Sequence, residues 1–203
     1  MFRSIRIFAS FALTVAALGF VAPSARAGGS AEEFIQTRQA QVTTLLRQSQ
    51  SGQRDKQVAS VLDGMIAYEE LAKRSLAAHW ADLSDAQHKE FTDILKRLVQ
   101  RSYEKNIKNI ISYRVEYLGE EPGSEGVVVH TRASSEQKPQ EEPITIDYQL
   151  MQSGSTFKVV DIVTEGSSLV NNYKNQFHRI IQKDGYETLV KRMKDKLAKG
   201  QTA

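Results

Sequence analysis

About halfway along the chain the hydrophobic pattern changes period, and this change narrows the fold to one class. Between residues 32 and 103 apolar side chains recur every three or four positions, the repeat of helices that bury one face. Residues 111–118 alternate instead, with Tyr113, Val115 and Tyr117 set against Arg114 and Glu116, as in a strand that is wet on one side. Strand-like runs follow at residues 127–133, 144–150 and 156–163, and the helical period returns from Ser168. Four strands joined by hairpin-length loops, with helices before and after, predict an α+β domain: a four-stranded antiparallel sheet packed against several helices.

The helical part divides further. Residues 32–50 carry the stripe Phe34, Ile35, Val42, Leu45 and Leu46 and break at Ser49-Gln-Ser-Gly52. Val58, Val61, Leu62, Met65 and Ile66 mark a second helix, and residues 68–80 a third. Ser84-Asp-Ala-Gln87 is a capping box that opens the longest helix, with Phe91, Ile94, Leu95, Leu98, Val99 and Tyr103 on one face. After the fourth strand, Gly166 supplies a turn and Ser167 or Ser168 a cap, and the stripe Leu169, Val170, Tyr173, Phe177 follows. Gly185 separates this helix from a last one over residues 186–198.

Residues 1–27 read as a secretory signal peptide. Arg3 and Arg6 precede an apolar stretch too short to span a membrane comfortably, and Ala25-Arg26-Ala27 is a cleavage site. The remainder, 28–203, is expected to form a single domain. The whole chain holds 27 basic and 24 acidic residues, but the leader contributes three arginines and no acid, so the rest is formally neutral. That balance argues against nucleic acid as a partner and against permanent attachment to an anionic membrane. Intact mass of the secreted protein is expected to begin at Gly28; a chain that keeps residues 2–27 would defeat the reading of a released, soluble protein.

Little here carries catalytic chemistry. There is no cysteine, so thiolate metal sites and thiol nucleophiles are excluded. The four histidines (His79, His88, His130 and His178) fall in no metal motif, and there is no G-x-S-x-G, P-loop or G-x-G-x-x-G. Asp147 and Asp161 lie mid-strand. Paired with His130 they could form the acid–base site of a pocket enzyme. Asp147 has the parity that points away from Ile146 and Tyr148, and the plainer role for Asp161 is to accept hydrogen bonds at the strand-to-helix turn.

The wording of the C-terminal third is more specific than its periodicity. Phe157-Lys-Val-Val-Asp-Ile162, then Glu165-Gly166 with Ser168-Leu-Val170, Tyr173 and Phe177, and Lys183-Asp-Gly-Tyr186 with Leu189, resemble the signature of the MlaC family, also called the toluene-tolerance auxiliary family. Tyr68-Glu-Glu-Leu-Ala-Lys-Arg-Ser-Leu76, His79-Trp80, Leu83-Ser84, Phe91 and Ser102-Tyr103 add to the likeness, which covers roughly residues 30 to 199. Phe157 stands where relatives commonly carry tryptophan. The resemblance implies a periplasmic phospholipid-binding shuttle and not an enzyme. Its cargo would be phospholipid, with no other cofactor and no metal. Its partners would be an outer-membrane lipoprotein complex and an inner-membrane ABC transporter complex with MCE domains, each met transiently. A hopanoid-associated periplasmic protein of the same superfamily is the neighbouring alternative, and a pocket enzyme on a cone-shaped sheet the more distant one.

The resemblance also implies an apolar lipid pocket between sheet and helices. Alternation puts Val129, Ile146, Tyr148, Val159 and Val163 on the drier sheet face, and the expected helical side of the pocket is Leu62, Phe91, Leu95 and Tyr103. On that assignment Ile146→Asp should expel lipid and Thr145→Asp should not. A chain of about fifteen methylenes loses roughly 12 kcal/mol on entering water, at about 0.8 kcal/mol each, so unaided transit of lipid between membranes is prohibitive.

Overall fold

The computed structural model describes residues 29–199, and all of their side chains except those of 104–110. The expected leader and its cleavage site lie outside the described residues. Among the described residues six helices and one antiparallel sheet follow the order read from the periodicity.

Helix α1 (Ala31–Leu46) starts where the Ser30 hydroxyl accepts from the Glu33 N–H at 3.0 Å. A second free amide of its first turn, that of Glu32, donates to the Glu120 carboxylate on the sheet at 2.8 Å. Ser51 caps α2 (Gly52–Met65) in the same way through the Arg54 N–H. Ile66 is extended, forms a parallel bridge to Val159, and leads into α3 (Tyr68–Leu76). The third helix is shorter than its pattern predicts: at Ala77, where φ is +49°, the chain passes into a 3-10 turn (Ala77–Asp82). The capping box forms as expected before α4 (Asp85–Ile110). The Ser84 N–H donates to Gln87 Oε1 at 3.0 Å, and the Gln87 N–H to Ser84 Oγ at 3.4 Å.

Strands β1 (Tyr113–Gly123), β2 (Gly126–Ser135), β3 (Ile144–Ser153) and β4 (Thr156–Thr164) form a meander. A fifth strand, β5 (Ser167–Ser168), was not expected. It returns against β4 through a two-residue turn in which both Glu165 (φ +49°) and Gly166 (φ +73°) are left-handed, the geometry that tight hairpins require. β1 also runs beyond its alternating stretch, through residues that carry turn chemistry, because a bulge at Leu118 resets its pairing with β2. Gly126 allows the close packing at the start of β2: a Cβ there would lie 2.0 Å from the Leu150 carbonyl oxygen.

Helix α5 (Leu169–Asp184) is capped by Ser168, which accepts from the Asn171 N–H at 3.0 Å. Gly185 (φ +84°) joins it to α6 (Tyr186–Ala198). Helices α1 and α2 form a hairpin laid on one face of the sheet. Helices α3–α6 pack on one another and meet the sheet chiefly through β4. β4 is therefore covered from both sides, which accounts for its apolar residues on both parities: Phe157, Val159 and Val160 are all buried. Among the described residues no helix is long and apolar enough to cross a membrane.

Candidate functional site

Cross-strand register fixes which side chains share the face under α1. Val129 pairs with Tyr148, Thr131 with Ile146, Tyr148 with Ile162, and Leu150 with both Val127 and Val159. Directly opposed residues in an antiparallel sheet point the same way. Val129, Ile146, Tyr148 and Val159 therefore lie on one face, as the alternation implies. Val163 does not. A bulge at Val160 shifts the register between Leu150 and Gln149, so Val163 pairs with Asp147 and turns to the opposite, wetter face. That part of the expected pocket lining is corrected.

The helical half is also rearranged. Val129, Tyr148, Leu150, Phe157 and Val159 pack with Ala31 and Ile35 of α1 and Met65 of α2, and Ile146 is half-buried against this cluster. Leu62 belongs to a second cluster, inside the α1–α2 hairpin, with Tyr103 of α4 against its edge. Phe91 and Leu95 belong to a third, the core of α3–α6, where Phe91 meets Phe177 edge to face at 5.6 Å. They do not stand opposite the sheet floor, because α1 does. Among the described residues Ile66 alone packs against all three clusters, so the three apolar regions meet at the extended link between α2 and α3.

Two depressions lie beside these clusters. One is an open groove of about 710 Å³ along the outer side of the α1–α2 hairpin, lined by Thr37, Ala40, Gln41, Thr44, Leu45, Gln57, Ser60 and Val61. The other is a slot of about 140 Å³ between α4, α5 and α6, with Leu95, Leu98, Tyr173 and Phe177 inside and Arg192 and Lys196 at its rim.

A polar side chain from α1 enters the apolar face. Gln39 of α1 reaches down to the sheet, where its Nε2 donates to the Tyr148 hydroxyl at 2.7 Å and its Oε1 accepts from the Tyr117 hydroxyl at 2.5 Å. Burial pushes the Tyr148 hydroxyl up to about 12, against the Gln39 hydrogen bond, which lowers it. Burial, and then the neighbouring Tyr148 hydroxyl, also raise Tyr103 and Tyr117. All three hydroxyls therefore keep their protons at any working pH. Gln39 was missed in the sequence, although a signal existed: it falls on the stripe Ile35, Gln39, Val42, Leu46, where a polar residue among apolar ones needs a partner. Ile66 falls in register with the α2 stripe, so its period gives no sign that it leaves the helix in an extended conformation.

The acid–base candidates separate. His130 Nδ1 lies 2.8 Å from Asp147 Oδ1 and its Nε2 lies 3.3 Å from Glu121, on the sheet face away from the apolar clusters. The Asp147 hydrogen bond is the first cause of the raised His130 pKa. Asp161 is buried and accepts from Ser168 Oγ at 2.5 Å, the Val170 N–H at 3.0 Å and the Ile162 N–H at 2.8 Å, the turn-fastening role expected of it. His79 and His178 hydrogen-bond at 2.9 Å, and His88 stacks on Trp80 with centroids 3.9 Å apart. Among the described residues no three or more histidines or carboxylates are grouped to hold a metal ion.

Comparison with known proteins follows the same lines. No curated protein matches the chain. Among solved structures, the phospholipid-binding protein from Ralstonia solanacearum, in complex with a phospholipid, is similar in fold: TM-score 0.73 at 22% identity, over 85% of this chain and 99% of that one. The family described as "MlaC protein" matches residues 36–195, from the first turns of α1 to the last of α6. That span takes in the whole sheet and the strand–turn–helix join at Asp161 and Ser168, and the chain belongs to the MlaC family.

Proposed function

We propose that this chain is a periplasmic phospholipid carrier. It takes acyl chains between the inner sheet face and the helices and moves lipid between an outer-membrane lipoprotein complex and an inner-membrane ABC transporter complex with MCE domains. It performs no turnover. The observation that carries this reading is likeness in fold to a protein that holds a phospholipid, over nearly the whole of that protein's length. The interior supports it. Its apolar residues form three clusters that meet at one extended link, and parting them at Ile66 would open an apolar slot without breaking the core of any one cluster. Val129, Ile146, Tyr148 and Val159 would floor that slot; Leu62 and Tyr103 would line its flank, and Phe91 and Leu95 would support it from the α3–α6 core.

The experiment is mass spectrometry of an organic extract from protein purified without detergent. Phospholipid at about one molecule per chain is expected. A hopanoid extract would move the protein to the neighbouring reading. Protein that is monodisperse, folded and free of lipid would sink the carrier reading altogether.

A further inference from the structure

The Gln39 bridge leaves one hydrogen-bond donor unspent. A carboxamide has one accepting end and one donating end. Here the accepting end takes the Tyr117 proton, and the donating end gives to the Tyr148 oxygen. The Tyr148 O–H proton then has no acceptor among the described residues, although Tyr148 is only 8% exposed. Turning the amide over changes which tyrosine is left with a free proton but not the number: two hydroxyl protons face one carboxamide oxygen. A buried donor left without an acceptor is costly, and here it sits in the face that the carrier reading assigns to lipid.

The chemistry of the missing acceptor is constrained. Among the described residues the cluster offers hydroxyl and amide donors and no cation. An anionic phosphate drawn into this apolar face without a counter-charge would lose its hydration for too little return. A neutral carbonyl oxygen fits, and in a phospholipid the neutral carbonyls belong to the esters that join the acyl chains to glycerol. We infer that Tyr148, with Gln39 and Tyr117 positioning it, reads an acyl ester carbonyl of the bound lipid, so that the protein selects ester-linked over ether-linked phospholipid. This selection rests on the carrier reading above. It adds to that reading a contact that fixes the depth to which the chains enter, because the ester lies at the junction of chain and head group.

The test is competition. Delipidated protein is incubated with vesicles of equimolar dioleoyl phosphatidylcholine and its di-O-octadecenyl ether analogue, which share head group and chain length, and the bound lipids are counted by mass spectrometry. One neutral hydrogen bond predicts about a tenfold excess of ester over ether lipid on the wild-type protein. In Tyr148→Phe the ratio should fall to about one. Tyr117→Phe should act alike, because the freed carboxamide oxygen then accepts the Tyr148 proton internally; this half-buried position gives a second reading should Tyr148→Phe fold poorly. A ratio near one on the wild-type protein, or a wild-type ratio in the folded variants, overturns the inference and leaves the carrier reading standing. Uptake of neither lipid by the wild-type protein sinks the carrier reading, and the ester contact with it.

Discussion

Replacing Asp161 with alanine is expected to destabilise the domain by about 3 kcal/mol. The carboxylate is buried at the bulge of β4 and holds the join between sheet and α5 together. One oxygen accepts from the Val170 and Ile162 amides, and the other from the Ser168 hydroxyl, which itself caps α5. Alanine strands the Val170 amide, one of the helix's four otherwise unpaired N–H groups, and frees Ser168 to rotate out of its cap. For a domain of this size the thermal midpoint should fall by roughly 6–12 °C. Asp161→Asn retains one acceptor and should lose about a third to a half of that. Thermal and urea unfolding of both variants decide the matter: an Asp161→Ala protein within about 0.5 kcal/mol of wild type would show that the join is held by packing alone.

The same join shows what a sequence can and cannot declare. Ser168 as cap and Asp161 as acceptor were legible because each role demands a residue type at a fixed distance from a helix start. β5 was not legible. Its turn needs a left-handed residue at Glu165, and nothing about a glutamate announces that conformation. The bulge at Val160 was hidden for a different reason: Val159, Val160, Ile162 and Val163 are apolar on both parities, so alternation has no contrast from which to read a slip. That slip is what turns Val163 away from the face that holds Val159. The helices erred in partner rather than in burial. Phe91, Leu95 and Leu62 are all buried, as their period requires, but a period states that a face is covered and not by what. Which cluster each joins was decided by the α1–α2 hairpin, whose long-range placement on the sheet depends on contacts such as Gln39 with Tyr117 and Tyr148.

Ile146→Asp is expected to give folded protein that has lost its phospholipid. Ile146 is half-buried near one end of the inner sheet face, between Thr131 on β2 and Thr164 on β4, and packs on the border of the sheet–α1 cluster and not at its centre. A carboxylate there can reach water when the slot is empty. Against an acyl chain it cannot, and an unpaired charge held in apolar surroundings costs several kcal/mol, enough to weaken binding by more than about a hundredfold. Thr145→Asp cannot serve as the silent partner. Its amide and hydroxyl both donate to the Glu165 carboxylate, so a second carboxylate would repel the β4–β5 turn. Met151→Asp is the better comparison: it lies on the opposite face, directly across from Lys158, which can offset the new charge. Circular dichroism with lipid extraction on the two variants separates the outcomes. Retained lipid in Ile146→Asp would mean that the chains lie elsewhere, and an unfolded Ile146→Asp would place Ile146 in the permanent core. Loss of lipid from Ile146→Asp with full occupancy in Met151→Asp assigns the slot to the face under α1.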